Sequence, residues 1–159
     1  MRELNGFVAL VYTVTGARDD YAKEKGIEPL AELVSWAYEG VDPRRMGLGP
    51  VPATELALRR AGLSFDDIGA IELNEAFAAQ ALAVQKGWES MGLSRDRFDE
   101  IVNQRGGAIA LGHPLGCSGT KLTVTLANIM RDKEIDYGLV TMCVGLGQGG
   151  AMVMKRYQA

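Results

Sequence analysis

RGGAIALGHPLGCSG, residues Arg105–Gly119, is the stretch around which the rest of the sequence is arranged. It contains His113, the only histidine of the 159-residue chain, between a glycine and Pro114. Gly106 and Gly107 can adopt backbone conformations that are closed to other residues, and a proline fixes its own φ angle. The sequence therefore predicts a bend of defined shape that presents an imidazole. A single histidine suits either proton transfer or a structural hydrogen bond, and the bend alone does not choose between them.

Composition limits the classes of function. The chain has 17 basic and 20 acidic residues and a net charge of −3, without a dense Lys/Arg cluster, so we expect no nucleic-acid partner. Its apolar runs are shorter than the roughly 18 residues that span a bilayer, and its first residues lack a signal-peptide pattern. These features predict a cytoplasmic protein without a membrane partner. Two cysteines and one histidine cannot supply the four ligands of a structural zinc site, so we expect no metal.

Strands and helices alternate along the chain. Leu30–Tyr38 is compatible with a strand or a helix, and its Val, Trp and Tyr residues favour a strand. We predict strands at Gly6–Thr15, Leu30–Tyr38, Ile68–Leu73, Ile101–Val102, Asp136–Cys143 and Ala151–Tyr157, and helices at Ala17–Lys25, Ala53–Ala61, Glu75–Ser90 and Thr120–Met130. Met91–Glu100 is predicted to be a polar loop. The alternation predicts an α/β layered sheet, in which ligand chemistry gathers where strands lead into loops and helix starts.

A second stretch of interest is LNEAFAAQ, Leu73–Gln80, where a strand leads into a helix. The amide of Asn74 can cap the helix or reach into a pocket. Glu75 in the first turn is favourable to the helix dipole and is interpreted as structural. Ala76 and Phe77 are interpreted as core, although Phe77 could wall a pocket. The helix is apolar on nearly every side in its first half, which predicts burial all round.

The third stretch is CVGLGQGG, Cys143–Gly150, where a cysteine leaves a strand into a glycine loop. Such a loop can expose backbone N–H groups that hold an oxyanion, or it can be a plain turn between two strands. A buried cysteine alone is usually an inert small hydrophobe. A cysteine, a histidine and a glycine-lined oxyanion site together favour acyl chemistry. Cys117 lies at a helix start among small residues, where we favour a structural role.

These three stretches together resemble the thiolase family, the acyl-CoA acyltransferases that make or cleave 3-oxoacyl-CoA by Claisen chemistry. NEAFA (Asn74–Ala78), GGAIALGHPLG (Gly106–Gly116) and CVGLGQGG stand in the family's order and spacing. MGLGPVPA, Met46–Ala53, is similar to the family's pocket-lining segment. The likeness begins at Ile27 and covers the second of the family's two duplicated halves. It implies an α/β βαβαβαββ domain with a mixed five-stranded sheet and helices on both faces.

The resemblance also implies roles for individual residues. His113 would activate the acyl-accepting thiol and, with a water held by Asn74, form one oxyanion hole. Cys143 would move the α-proton of the second acyl-CoA, and the N–H of Gly145 would contribute to a second oxyanion hole.

The substrates implied by the resemblance are coenzyme A thioesters, and no further cofactor is expected. Met46, Ala76 and Phe77 would line the substrate-binding path for the acyl group or the pantetheine.

The sequence also departs from the family pattern. The family's acylated cysteine lies in the first half, whereas residues 1–26 contain no cysteine and resemble an altered remnant of that half. Residues 27–159 form the expected C-terminal domain. We therefore expect a chain that supplies the His/Cys acid–base half, is nearly inactive alone, and pairs with an N-terminal thiolase half in a homo- or hetero-oligomer. The alternatives are a non-catalytic thiolase-fold binding or assembly module, and a Cys-His hydrolase that uses Cys117 as nucleophile.

Overall fold

The computed structural model describes residues 24–158, in which four strands form one mixed sheet. The strands are β1 (Ala31–Gly40), β2 (Ala70–Leu73), β3 (Tyr137–Gly145) and β4 (Gln148–Arg156). Their order is β1-β4-β3-β2, with β4 antiparallel to both neighbours and β2 parallel to β3. The carboxyl ends of β1, β2 and β3 therefore lie at one end of the sheet. The strand predicted at Gly6–Thr15, and the predicted helix Ala17–Lys25 up to residue 23, lie outside the described residues.

Helices cover both faces of the sheet, as predicted. They are α1 (Pro50–Ala61), α2 (Ala78–Glu89), α3 (Arg95–Ile101), α4 (Ala108–Leu111) and α5 (Ser118–Asp132), with 3-10 turns at Pro43–Leu48 and Phe65–Asp67. On one face α1, α2 and α3 pack around the fully buried Trp88. On the other face, among the described residues, α5 packs against the sheet. Within residues 24–158 none of the helices is long and apolar enough to cross a membrane.

The two principal helices form where the sequence predicts them. In α1, Pro50 occupies the first turn, where its missing N–H costs no helical hydrogen bond, and Gly62 ends the helix with φ +70°. The apolar stripe of α5 is buried against Val140 and Met152 of the sheet. This stripe consists of Leu122, Leu126, Ile129 and Met130.

The predicted fifth strand at Ile101–Val102 is wrong. Ile101 ends α3, and Val102 makes only an isolated parallel bridge to Ile71. The chain leaves the sheet at Asn103, whose φ of 51° is left-handed. The Asn103 side chain takes the place of a longer strand, because its Oδ1 accepts from Leu73 N at 2.9 Å and its Nδ2 donates to Leu73 O at 3.0 Å. A carboxamide carries the same donor and acceptor as a peptide group, so it satisfies the edge of β2.

The loop predicted at Met91–Glu100 is also wrong, because α3 forms there. Ser94 caps this helix by accepting from Arg97 N at 3.2 Å, and Asp96 stands in its first turn. Phe98 packs on Trp88 with ring centroids 5.9 Å apart. A polar composition concealed a short helix that is capped by Ser94 and packs through Phe98 and the buried Ile101.

The glycine loop predicted to begin after Cys143 is much shorter than expected. β3 continues to Gly145 and β4 begins at Gln148, so Leu146 and Gly147 make a tight hairpin turn. Gly149 lies within β4. A Cβ at this position would stand 2.0 Å from the backbone carbon of Gly49, where α1 begins. Its glycine is required by a close approach of two backbones.

Candidate active site

His113 follows α4 at the carboxyl end of the sheet, and its ring is held by hydrogen bonds on both nitrogens. Nδ1 lies 2.5 Å from Ser118 Oγ, and that hydroxyl donates to the carbonyl of Pro114 at 3.2 Å. Because the hydroxyl proton is used on Pro114, Nδ1 carries the ring proton and donates it to Ser118. Nε2 is then the basic nitrogen, and it lies 3.4 Å from Asn74 Nδ2. The ring is thus oriented so that the Nε2 lone pair faces the amide donor of Asn74.

Asn74 directly follows β2 and is 1% exposed. Its backbone N–H donates to Thr141 O at 3.0 Å, which fixes the residue to the neighbouring strand β3. The residue that precedes α2 is Phe77, so Asn74 is not the cap of that helix. Of the two roles that the sequence allows for this amide, helix capping is wrong, and the amide lies against the His113 ring without lining the cavity.

Cys143 lies near the end of β3 and is 8% exposed. Its Sγ donates to the carbonyl of Met46 at 3.1 Å, so the thiol carries its proton in this arrangement. Two residues later, Gly145 has φ +88° and follows an irregularity in the pairing of β3 with β4. The Met46 carbonyl belongs to the 3-10 turn Pro43–Leu48 and links that turn to the strand that carries the thiol.

One cavity of about 330 Å³ brings most of the predicted site residues together. Six of the seven line it: Met46, Ala76, Phe77, His113, Cys143 and Gly145. The seventh, Asn74, does not line the cavity but contacts the His113 ring. The cavity can therefore offer a substrate an imidazole, a thiol and the backbone of a glycine turn.

Comparison with known proteins identifies the family. The family model for the thiolase C-terminal domain matches residues 27–156. The chain belongs to the thiolase family, and it matches the C-terminal domain of that family. It is 55% identical over 138 residues to a 3-ketoacyl-CoA thiolase of Photorhabdus laumondii and 58% identical over 135 residues to one of Photobacterium profundum. These matches cover 87% and 85% of this chain, and 34% of each relative.

Solved thiolase structures share the fold. Human mitochondrial 3-ketoacyl-CoA thiolase superposes with a TM-score of 0.80 and 42% identity, covering 89% of this chain and 34% of the other. Bacillus anthracis acetyl-CoA acetyltransferase gives 0.78 and 40%, covering 87% and 34%. The chain thus spans about a third of the length of the thiolases that it matches.

Several predictions about this thiolase domain are wrong in detail. Helix α2 starts at Ala78 and not at Glu75, and its first half is not buried all round: Leu82 is 61% exposed, and Phe77, directly before the helix, is 61% exposed at the cavity. Glu75 precedes the helix and serves other partners. Cys117 is exposed, so packing does not demand a small residue there, and this thiol, which the hydrolase alternative uses as nucleophile, does not line the cavity.

Sequence reasoning missed other cavity residues. Ser118, which orients the His113 ring, was not predicted as a site residue. The sequence feature that could have indicated this role is a hydroxyl at the first position of α5, five residues after the histidine. The remaining side chains that were missed are Leu115, Thr120, Met142 and Val144.

Glu72 is a buried acid on β2, two residues before Asn74. It is 2% exposed, and its Oε1 has no hydrogen-bond partner among the described residues. Burial raises the pKa of this carboxyl to about 7, and Lys121 and Arg105 partly counteract the shift. The negative charge of Glu75 adds to it. The carboxyl behind the site therefore changes charge near neutral pH.

Proposed function

We propose that this domain supplies the acid–base half of a thiolase-type acyl-CoA acyltransferase, which cleaves or forms 3-oxoacyl-CoA. The observation that carries the proposal is one cavity that His113, Cys143 and Gly145 line together, with Asn74 against the His113 ring. The acylated cysteine would come from an N-terminal thiolase half, with which this chain would assemble as a homo- or hetero-oligomer. We further propose that residues 1–26 are a remnant of that half and that residues 27–159 are the C-terminal domain.

His113 is suited to be the base that activates the nucleophilic thiol. Its Nδ1–H is committed to Ser118, which leaves Nε2 able to accept a proton. Once protonated, Nε2–H could donate to the oxyanion that forms when the thiolate attacks the 3-keto carbon. Asn74 Nδ2, 3.4 Å from Nε2, would hold a water that gives this oxyanion a second donor.

Cys143 is suited to exchange a proton with the α-carbon of the second thioester. In thiolysis the C2–C3 bond of the 3-oxoacyl group breaks, the acyl group stays on the partner's cysteine, and the departing enolate takes the Cys143 proton. The Cys143 thiol donates its proton in a hydrogen bond to the Met46 carbonyl, and this step requires the protonated thiol. The N–H of Gly145 would stabilise the enolate oxygen, and Met46, Ala76 and Phe77 would line the acyl or pantetheine path.

The test is a chimera in which this chain's residues 27–156 replace the matched third of the Photorhabdus laumondii thiolase. We expect the chimera to cleave acetoacetyl-CoA with CoA, and the isolated chain to be nearly inactive. His113→Asn and Cys143→Ser should each lower kcat by about 10²–10⁴-fold, because each removes a proton-transfer group. Cys117→Ser is the matched control and should keep the activity, since this thiol is exposed and outside the cavity. Full activity of Cys143→Ser in the chimera, or enzyme-like turnover by the isolated chain, would contradict the proposal.

One observation favours the alternative of a binding or assembly module. Apolar side chains stand exposed at the cavity, with Leu115 at 82% and Phe77 at 61%. A module of that kind would stimulate a partner equally well with His113→Asn and Cys143→Ser in place. The same two variants therefore separate the two functions.

A further inference from the structure

Glu75 is the residue next to Asn74, and its carboxylate accepts two N–H groups from separate parts of the chain. Oε1 accepts from Asn103 Nδ2 at 3.1 Å, and Oε2 accepts from the backbone N–H of Ile109 at 3.0 Å. A Cβ at Gly107 would stand 2.2 Å from the carboxyl group, so only glycine allows this approach. The site described above does not use this carboxylate, since Glu75 does not line the cavity.

The two partners of Glu75 differ in how firmly they are held. Asn103 is fixed to β2 by its side-chain bonds to Leu73 and by its own N–H, which donates to Ile71 O at 2.8 Å. Ile109 belongs to α4, a helix of only four residues that ends directly before Gly112 and His113. An isolated helix this short is unstable in water, because nucleation is costly. The position of α4 therefore depends on what anchors it.

We propose that Glu75 is a positioning residue that anchors α4 to the edge of β2 and so holds the His113 ring against Asn74. The carboxylate accepts an N–H in the first turn of α4, where a negative charge also suits the helix dipole. Glu75 and Asn74 are consecutive, so one segment fixes both the amide that faces His113 and the helix that leads to it. The inference rests on the proposed function only for the chemical role of His113 and Asn74, and not for the anchoring itself.

A carboxylate is required at this position by the two donors. Glutamine has one acceptor oxygen and one NH₂ group, so it would turn a donor toward either Asn103 or Ile109. Glu75→Gln keeps the size of the side chain and removes one anchor. Ile109→Pro removes the donor to Glu75 on α4, because proline lacks the N–H. Proline is tolerated in a first helical turn, so the helix itself can still form. Ile109→Ala is its matched control, since it keeps the N–H and alters only a side chain that is 63% exposed.

The experiment is nitrogen-15 NMR of the 159-residue chain, in which the single histidine gives unambiguous ring signals. In the unmodified chain we expect the Nδ1–H form to dominate, as the Ser118 and Asn74 contacts require. Glu75→Gln and Ile109→Pro should lower the ratio of Nδ1–H to Nε2–H tautomer by about tenfold, which corresponds to one hydrogen bond to a charged group. Ile109→Ala and the exposed Glu89→Gln should leave the ratio unchanged.

The proposal is overturned if Glu75→Gln folds, as judged by circular dichroism, and keeps the original ring signals. If Glu75→Gln fails to fold, equal ring signals in Ile109→Pro and Ile109→Ala overturn it instead. Val153→Ala, which removes core volume from β4, controls for general destabilisation. Ring signals that move as far in Val153→Ala as in Glu75→Gln would show a non-specific effect and would also overturn it. The ring signals can be measured without catalysis, so this test is independent of the activity measured in the chimera.

Discussion

Glu72 is the residue with the clearest conflict between burial and charge. Its side chain lies on the α5 face of the sheet with the apolar Ala70, two residues away along the strand. Lys121 and Arg105 lie near enough to affect its titration, but neither forms a hydrogen bond with it. Burying a carboxylate without a partner is unfavourable, so the folded chain prefers the protonated acid.

This preference makes the stability of the domain depend on pH. The pKa of Glu72 rises from 4.5 to about 7 on folding, so its favourable contribution is complete below pH 4.5 and is lost as the pH rises through 7. Glu72→Gln should therefore match the original protein near pH 4.5 and be more stable by about 3 kcal/mol at pH 8. Urea unfolding of both proteins at these two pH values measures the difference. Glu28→Gln, at an exposed glutamate, is the control, and a Glu72→Gln difference that stays constant with pH would contradict the prediction.

Single residues show what a sequence can reveal about a site. Glycine, proline and histidine in one bend indicated where the imidazole would be presented, and the cavity contains six of the residues named for it. The function of Glu75 could not be predicted, because it depends on Asn103, 28 residues later, with a left-handed backbone. A contact of that kind exists only once β2 and α4 have been placed.

At the scale of elements, long patterned segments were predictable and short ones were not. The stripe of α5 and the cap of α1 determine those helices locally, so their positions agree with the structure. α3 is only seven residues long, and its sequence signal is limited to the Ser94 cap. The predicted fifth strand is reduced to a single bridge at Val102, because the chain turns away at Asn103. The first half of α2 was predicted to be buried all round from its composition, although composition alone does not show what packs against it.

The contact between α1 and β4 gives a prediction at this scale. Gly49 and Gly149 touch backbone to backbone, and a Cβ on Gly149 would stand 2.0 Å from the carbon of Gly49. Gly149→Ala should lower the free energy of unfolding by about 3 kcal/mol, because α1 must move away from the sheet. Gly40→Ala is the matched control on the adjacent strand β1, since a Cβ there meets nothing within 4 Å and should change stability by less than about 0.5 kcal/mol. Equal urea midpoints for the two variants would show that the close approach does not limit the packing.

For the molecule as a whole, the exposed apolar side chains near the site predict self-association. Leu115 is 82% exposed at the cavity and Leu146 is 83% exposed in the adjacent β3–β4 turn. Exposed apolar side chains that cluster at one end of a domain indicate a contact surface, and burying one leucine contributes about 1.5–3 kcal/mol. Leu146→Glu should therefore weaken self-association by roughly tenfold or more.

Sedimentation over a series of protein concentrations measures this weakening. Ile27→Glu is the control, since Ile27 is 54% exposed but precedes β1, at the end of the sheet opposite the β3–β4 turn. Because β1 pairs Ala31 with Arg156 and Gly40 with Gln148, the two substitutions are separated by the length of the strands. If Ile27→Glu weakens association as much as Leu146→Glu does, the contact surface is not at the site. If only Leu146→Glu does so, the end of the sheet that carries the cavity also carries the surface through which copies of this chain meet.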